Sequence, residues 1–172
     1  MTKLATLVLG GINSGKSAFA ETLITHHSAT PYYIATSVVL DKETKDKVDA
    51  HQTMRGPNWH TIEEPVEIGA ALEQLPAGSV VLVDCLTMWL NNLMYHELDV
   101  DDYTQHLLET LAQSELNITF VSNEVGLGGI SENALTRKFA RFQGTLNQKI
   151  AEKSDRVAFV AAGLPMWLKG GI

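Results

Sequence analysis

Residues 10–17 read Gly-Gly-Ile-Asn-Ser-Gly-Lys-Ser, and this stretch constrains the fold of the chain more than any other. It matches the pattern G-x-x-x-x-G-K-[ST], in which backbone N–H groups and a lysine surround a phosphate group. An apolar run at residues 4–9 precedes it, and residues 18–24 follow with helical spacing. A strand, a glycine loop and a helix in that order point the positive end of the helix dipole at one spot. The sequence therefore predicts a loop that binds a polyphosphate.

Each residue type in this loop has a predicted task. Lys16 is expected to reach the β- and γ-phosphates of a nucleotide, and the Ser17 hydroxyl is expected to hold Mg²⁺. Gly10 and Gly15 provide backbone angles and a close approach that a Cβ atom would prevent. The predicted nucleotide-binding set in this loop is Gly10, Gly11, Ile12, Asn13, Ser14, Gly15, Lys16 and Ser17.

Five short apolar runs lie between helix-like stretches, at residues 4–9, 32–35, 80–83, 118–122 and 157–161. Their near-continuous apolarity is typical of parallel strands that are covered on both faces. We therefore predict a three-layer α/β fold of the P-loop NTPase type, with a mainly parallel sheet of at least five strands. No repeat or linker divides the chain, so residues 1–172 are expected to form a single catalytic domain.

Composition excludes several classes of protein. A net charge of −7, with thirteen Lys and Arg residues spread along the chain, argues against a nucleic-acid-binding surface. No apolar stretch approaches the roughly 18 residues that a membrane span requires. The first residues show no export signal, and Cys85 is the one cysteine. These observations predict a cytoplasmic protein.

Polar residues at the ends of the predicted strands are candidates for binding, because ligands of such sheets lie beyond the carboxyl ends of the strands. Asp84 follows residues 80–83 and has the position of a Walker B aspartate that binds Mg²⁺, although a helix N-cap is the alternative. Thr36 and Ser37 follow residues 32–35, and their hydroxyls either contact a nucleotide or cap the next element.

The polar helical stretch at residues 41–53 places His51 on the same stripe as Val48. Spacing alone favours a structural histidine there. Arg55 either contacts phosphate or lies on the surface, and Glu63 precedes Pro65, where an acidic residue favours the start of a helix.

Towards the end of the chain, two further patterns carry expectations about structure. A stripe formed by Leu135, Phe139, Phe142 and Leu146 predicts the core face of a long helix. The sequence Gly163-Leu164-Pro165 is expected to break the chain before a short apolar tail.

Seven linked motifs now make the chain resemble a known family. They are residues 10–17, 33–37, 83–87, 123–126, 147–148 and 162–165, together with His51 eight residues before Trp59. In this order they resemble the bifunctional adenosylcobinamide kinase and adenosylcobinamide-phosphate guanylyltransferase family of cobalamin biosynthesis. The likeness covers nearly the whole chain.

The resemblance implies two reactions. A nucleoside triphosphate, ATP or GTP, phosphorylates the hydroxyl on the aminopropanol arm of adenosylcobinamide, and GTP then donates GMP to that phosphate. It also implies that His51 carries GMP as a covalent phosphoramidate, and that Lys16 and Asp84 are catalytic, with Mg²⁺ held by Ser17 and Asp84. The positions that match the guanine nucleotide site are Thr36, Ser37, Arg55 and Glu63. The usual assembly of the family implies a homotrimer.

Two stretches depart from the family pattern: Gly129-Ile130-Ser131 stands where Ile-Val-Pro is common, and Ala140-Arg141 where Arg-Asp is usual. Two other functions stay open at this point. One is a P-loop kinase of another small alcohol, with a structural His51. The other is a nucleotide-binding regulatory module that switches partners through residues 126–129.

Overall fold

The computed structural model describes residues 3–28, 30–38 and 58–171. The strands are β1 (Leu4–Gly10), β2 (Tyr32–Ala35), β3 (His60–Glu63), β4 (Val80–Asp84), β5 (Asn117–Asn123), β6 (Arg156–Ala161) and β7 (Leu164–Lys169). The helices are α1 (Lys16–Thr25), α2 (Ile68–Glu73), α3 (Leu86–Tyr95), α4 (Val100–Gln113) and α5 (Ala134–Lys153).

The strands form one sheet in the order β3-β2-β4-β5-β1-β6-β7. All neighbouring pairs from β3 to β6 are parallel, and β7 alone pairs antiparallel, with β6. The predicted α/β fold with a mainly parallel sheet is confirmed. Because β1 lies between β5 and β6, the loops that follow these three strands are neighbours at the carboxyl edge of the sheet.

The core lies on both faces of the sheet, as near-continuous apolar strands require. Successive residues of β1 alternate between the faces: Leu7 and Leu9 pack with α2 to α5, whereas Val8 packs with Ala20 and Ile24 of α1. The sheet therefore lies between two helical layers. Among the described helices, none is both long and apolar enough to cross a membrane.

Two helices begin at side-chain caps that the sequence supplies. The Asp99 carboxylate accepts hydrogen bonds from the backbone N–H groups of Asp101 and Asp102 at the start of α4. The Asn133 side chain accepts from the N–H of Thr136 at the start of α5. Such caps satisfy donors that have no partner within the helix, and they fix where each helix leaves its loop.

The five predicted strands are all present, with ends that move by one residue at most. Three other expectations need correction. Residues 60–63 form an edge strand, so Glu63 ends β3, and the Glu64 carboxylate accepts N–H groups ahead of α2. The tail after Gly163 is β7, not a break. Leu135 is 66% exposed and does not join the core stripe. The predicted helix at residues 41–53 lies outside the described residues.

Candidate active site

Glycine determines the shape of the loop between β1 and α1. A Cβ atom on Gly10 would collide with the Ser14 hydroxyl and lie 2.6 Å from the carbonyl oxygen of Val160. Gly15 has a φ of +92°, in the region that glycine adopts without strain. The Ser14 Oγ atom is buried, and no described residue forms a hydrogen bond with it. The loop is therefore a tight turn that closes directly on β6.

Lys16 opens α1 and is 9% exposed. Its Nζ atom donates a hydrogen bond of 3.0 Å to the carbonyl oxygen of Gly11, so the side chain folds back over the loop. Burial lowers the pKa of Lys16, while the neighbouring Cys85 and Asp84 act in the opposite direction. The ammonium group therefore lies within electrostatic reach of Asp84, as a phosphate-binding lysine beside a metal-binding carboxylate would.

Asp84 ends β4 and lies opposite Ala35 of β2 in the sheet register. The hydroxyl of Tyr33 donates a 3.2 Å hydrogen bond to its Oδ2 atom, and the Trp59 ring packs edge-on against the Tyr33 ring at 6.1 Å. The carboxylate is thus oriented by a side chain from the neighbouring strand. Tyr33 belongs to an apolar run that predicts a buried strand, and nothing in the sequence pattern indicates this contact.

Thr36 joins the ends of β2 and β4. Its hydroxyl donates to the carbonyl oxygen of Cys85 at 2.8 Å and accepts the Cys85 N–H at 2.7 Å. Its own carbonyl oxygen accepts from the Asn92 side chain at 2.7 Å. The single proton of the Thr36 hydroxyl is therefore already donated within the protein, which leaves only acceptor capacity for a nucleotide.

Two further segments meet the phosphate loop at the same edge. The Glu124 N–H donates to the carbonyl oxygen of Gly10 at 3.0 Å, and the Gly163 N–H donates to the carbonyl oxygen of Ser14 at 2.8 Å. On the other side of β5, the Asn123 N–H donates to the Thr87 hydroxyl at 2.8 Å. The loop is consequently held by backbone hydrogen bonds from the segments after β5 and β6.

The comparisons with known proteins fit this geometry. Residues 6–168 match the family described as cobinamide kinase / cobinamide phosphate guanyltransferase, a match that reaches every strand and helix named above. The chain belongs to this family. The resemblance that the seven motifs indicated is therefore confirmed, and membership of a kinase and guanyltransferase family favours an enzyme over a regulatory module.

Curated relatives extend over almost the whole chain. The bifunctional adenosylcobalamin biosynthesis protein CobP of Pseudomonas aeruginosa is 42% identical over 167 residues, which cover 95% of this chain and 96% of the relative. The corresponding protein CobU of Escherichia coli is 31% identical over 179 residues, covering 95% and 98%. A solved structure from Pyrococcus horikoshii OT3 superposes with a TM-score of 0.56 at 11% identity, and the match covers 98% of this chain and 87% of that one. At this identity the likeness shows a common fold and nothing further.

In this member of the cobinamide kinase / cobinamide phosphate guanyltransferase family, the structure brings several predicted residues to one edge of the sheet. The phosphate loop, Thr36, Ser37 and Asp84 lie at the carboxyl ends of β1, β2 and β4. Glu63 is exposed at the same edge, at the end of β3. His51 and Arg55 lie outside the described residues, so their roles stay predictions.

Sequence reasoning assigned no chemistry to Tyr33 or Asn123, although both face this edge. The Asn123 Oδ1 atom is buried, and no donor from the described residues reaches it. Asn123 lies opposite Gly10 in the register of β5 and β1. From the sequence, only the position of Asn123 at the end of a predicted strand could have identified it. The strand register that places Asn123 beside the loop is not visible in the sequence.

Proposed function

We propose that this chain catalyses two successive reactions of nucleotide loop assembly in cobalamin biosynthesis. A nucleoside triphosphate, ATP or GTP, phosphorylates the hydroxyl of adenosylcobinamide, and GTP then transfers GMP to the new phosphate, giving adenosylcobinamide-GDP and pyrophosphate. The observation that carries the proposal is the intact phosphate loop with the Lys16 side chain folded over it, in a chain that matches the family over residues 6–168. A P-loop NTPase type of fold is part of the proposal.

The donor atoms at this edge fit Mg²⁺. Ser17 offers a hydroxyl and Asp84 a carboxylate, which are the hard oxygen ligands that Mg²⁺ prefers. The described residues contain no group of three His, Cys, Asp or Glu that could hold a metal ion. This matches an ion that shares its coordination with substrate phosphates and water. When bound, Mg²⁺ would neutralise charge on the triphosphate.

In the kinase reaction the protein acts through position and charge. The N–H groups of the phosphate loop and of the start of α1 are proposed to face the β- and γ-phosphates, except that of Ser14, which donates to the carbonyl oxygen of Gly11. Lys16 exchanges its hydrogen bond to Gly11 for a phosphate oxygen, and thereby stabilises charge on the transferring group. The acceptor hydroxyl attacks the γ-phosphorus in line with the leaving diphosphate oxygen, the bond from the γ-phosphorus to that oxygen breaks, and the hydroxyl proton passes to water.

In the guanylyltransferase reaction, we propose that a neutral His51 imidazole attacks the α-phosphorus of GTP and pyrophosphate leaves. The resulting N–P bond holds GMP until a phosphate oxygen of adenosylcobinamide phosphate attacks the same phosphorus and releases the histidine. Lys16 and Asp84 serve the triphosphate in this step as well. Thr36, Ser37, Arg55 and Glu63 are proposed to contact the guanine nucleotide, Thr36 through its remaining acceptor capacity.

The test is covalent labelling. We expect the chain, incubated with Mg²⁺ and α-labelled GTP and then denatured, to retain label in an acid-labile, alkali-stable form, as a phosphoramidate does. The His51→Ala variant is expected to lose the label. His96→Ala, which removes an exposed histidine at the end of α3, is the matched control and is expected to keep it.

Either of two results would contradict this assignment. One is an unlabelled native chain that nevertheless binds GTP, which would leave a simple kinase. The other is full labelling of His51→Ala, which would move the nucleophile to another residue.

The family resemblance also supports proposals about the whole protein. We infer one catalytic domain over residues 1–172, a cytoplasmic location, small-molecule substrates and no nucleic-acid partner. A homotrimer is proposed on the same ground.

A further inference from the structure

Large aliphatic side chains are exposed around the phosphate loop. Ile12 is 83% exposed, Leu127 79%, Ile130 93% and Leu164 73%. We name these four residues the apolar rim. We propose that the apolar rim is the surface on which the corrin macrocycle of the acceptor rests during both reactions. The inference rests on the proposed function and adds to it the binding surface of the second substrate.

Topology places the apolar rim at one edge of the sheet. Ile12 lies in the loop after β1, Leu127 and Ile130 lie in the connection from β5 to α5, and Leu164 follows the turn after β6. These strands are neighbours in the order β5-β1-β6 and run in the same direction. All four residues therefore belong to segments that begin at the carboxyl ends of β1 and its two neighbours.

The rim is also continuous with the phosphate loop through hydrogen bonds. The connection that carries Leu127 begins with the Glu124 N–H, which donates to Gly10. The turn before Leu164 begins with the Gly163 N–H, which donates to Ser14. Both segments that carry rim residues are therefore bonded to the loop that is proposed to bind the phosphates.

The stretches that carry Leu127, Ile130 and Leu164 have no side chain that forms hydrogen bonds, although Glu124 precedes the first stretch and Ser131, Glu132 and Asn133 follow it. Residues 125–130 and 157–166 contain only glycine, proline and apolar side chains. A Cβ atom on Gly128 or Gly129 would meet nothing within 4 Å, so the connection after β5 stands open to solvent. Exposed apolar surface of this kind, beside a polar site, marks a place where an apolar partner binds.

The proposed reactions indicate which molecule covers the apolar rim. The acceptor hydroxyl and the later acceptor phosphate must reach phosphorus atoms at the loop, while the rest of the acceptor is far larger than the loop. A corrin macrocycle carries both methyl groups and amide side chains at its periphery, and we propose that its methyl groups contact the apolar rim while its amide side chains stay in solvent. The nucleotide does not need the rim, because its phosphates bind the backbone of the loop.

The test separates the two substrates kinetically. We expect the double variant Leu127→Ser with Ile130→Ser, and separately Leu164→Ser, to raise the KM for adenosylcobinamide at least about tenfold, because each exposed aliphatic contact is lost. The KM for GTP and the labelling of the chain by α-labelled GTP are expected to stay at native values. Leu168→Ser is the matched control, since Leu168 is 59% exposed on β7 towards the opposite edge.

Three outcomes would overturn the inference. An unchanged KM for adenosylcobinamide in both rim variants would show that the macrocycle lies elsewhere. An equal rise in the KM for GTP would show damage to the phosphate loop. A changed sedimentation coefficient with native KM values would assign the rim to contact with a second copy of the chain. Failure of the native chain to become labelled is different, because it contradicts the proposed guanylyltransferase itself.

Discussion

At the scale of single residues, the phosphate loop requires that residue 10 has no Cβ atom. Gly10 faces the Ser14 side chain and the Val160 backbone, so an added Cβ has a backbone atom 2.6 Å away that cannot rotate aside. Gly11, the next residue, has nothing within 4 Å of the same position. Packing therefore requires glycine at position 10 but not at position 11.

We expect Gly10→Ala to lower the free energy of unfolding of the unliganded chain by about 3 kcal/mol, through overpacking against β6. For a chain of this size that corresponds to a fall of about 9 °C in Tm. Gly11→Ala is the control and is expected to keep the native Tm. Thermal unfolding followed by circular dichroism measures both, and equal values for the two variants would contradict the packing argument.

Cys85 is a second residue whose surroundings determine its chemistry. Burial raises the pKa of its thiol from the ordinary value of 9.0 to about 11, and the adjacent Asp84 carboxylate adds to the rise. The thiol is therefore protonated at neutral pH, which makes it a poor nucleophile.

The prediction is slow alkylation. At pH 7.5 the thiolate fraction is about 100-fold below that of a thiol with the ordinary pKa, so iodoacetamide is expected to react at least that much more slowly with the native chain than with the urea-unfolded chain. Because the folded thiol holds its proton more tightly, the free energy of unfolding should fall as pH rises from 9.0 to about 11. Mass spectrometry gives the rate without ambiguity because Cys85 is the one cysteine, and equal rates in both states would contradict the shift.

At the scale of elements, a buried polar cluster joins β5 to α5. Ser122 donates to Asn147 Oδ1 at 2.7 Å, and Gln143 Nε2 donates to Ser122 at 2.9 Å. Asn147 Nδ2 then donates to the carbonyl oxygen of Asn123 at 3.1 Å. This cluster fixes the strand end from which the Glu124 N–H reaches the phosphate loop.

We expect Asn147→Leu to lower the free energy of unfolding by about 2–3 kcal/mol, because it removes the acceptor of the buried Ser122 hydroxyl and the donor to the carbonyl oxygen of Asn123. Gln148→Leu is the matched control, since Gln148 is the exposed neighbour on the same helix. Urea unfolding provides the measurement. A change of less than 1 kcal/mol in Asn147→Leu, or the same loss in both variants, would contradict the role of the cluster.

The elements also show what the sequence could and could not predict. Residues 80–83 are apolar throughout and buried on both faces, so an apolar run was enough to find β4. In β3, His60, Thr61 and Glu63 are exposed because this strand lies at the edge of the sheet. The other edge strand, β7, exposes Leu164. It begins directly after Gly163, in a stretch whose sequence is also typical of a break between elements. The polar sequence hid β3, whereas β7 was missed because Gly163 and Pro165 next to its apolar residues indicated a break.

At the scale of the whole molecule, the candidate site could be predicted only in part. The phosphate loop is contiguous in sequence, and Asp84 ends an apolar run, so local pattern was sufficient for both. Tyr33 and Asn123 reach the site through strand register, which depends on pairing across the sheet. The role of His51 came from resemblance alone, because its spacing favoured a structural residue.

The central position of β1 has a consequence for synthesis on the ribosome. β1 leaves the exit tunnel before every other described strand, yet its neighbours β5 and β6 end only at Asn123 and Ala161. Both edges of β1 therefore stay unpaired until β5 and β6 have been synthesised. The hydrogen bond from Gly163 to Ser14 completes the phosphate loop later still. We therefore expect a nucleotide to bind the growing chain only after Gly163 has left the ribosome.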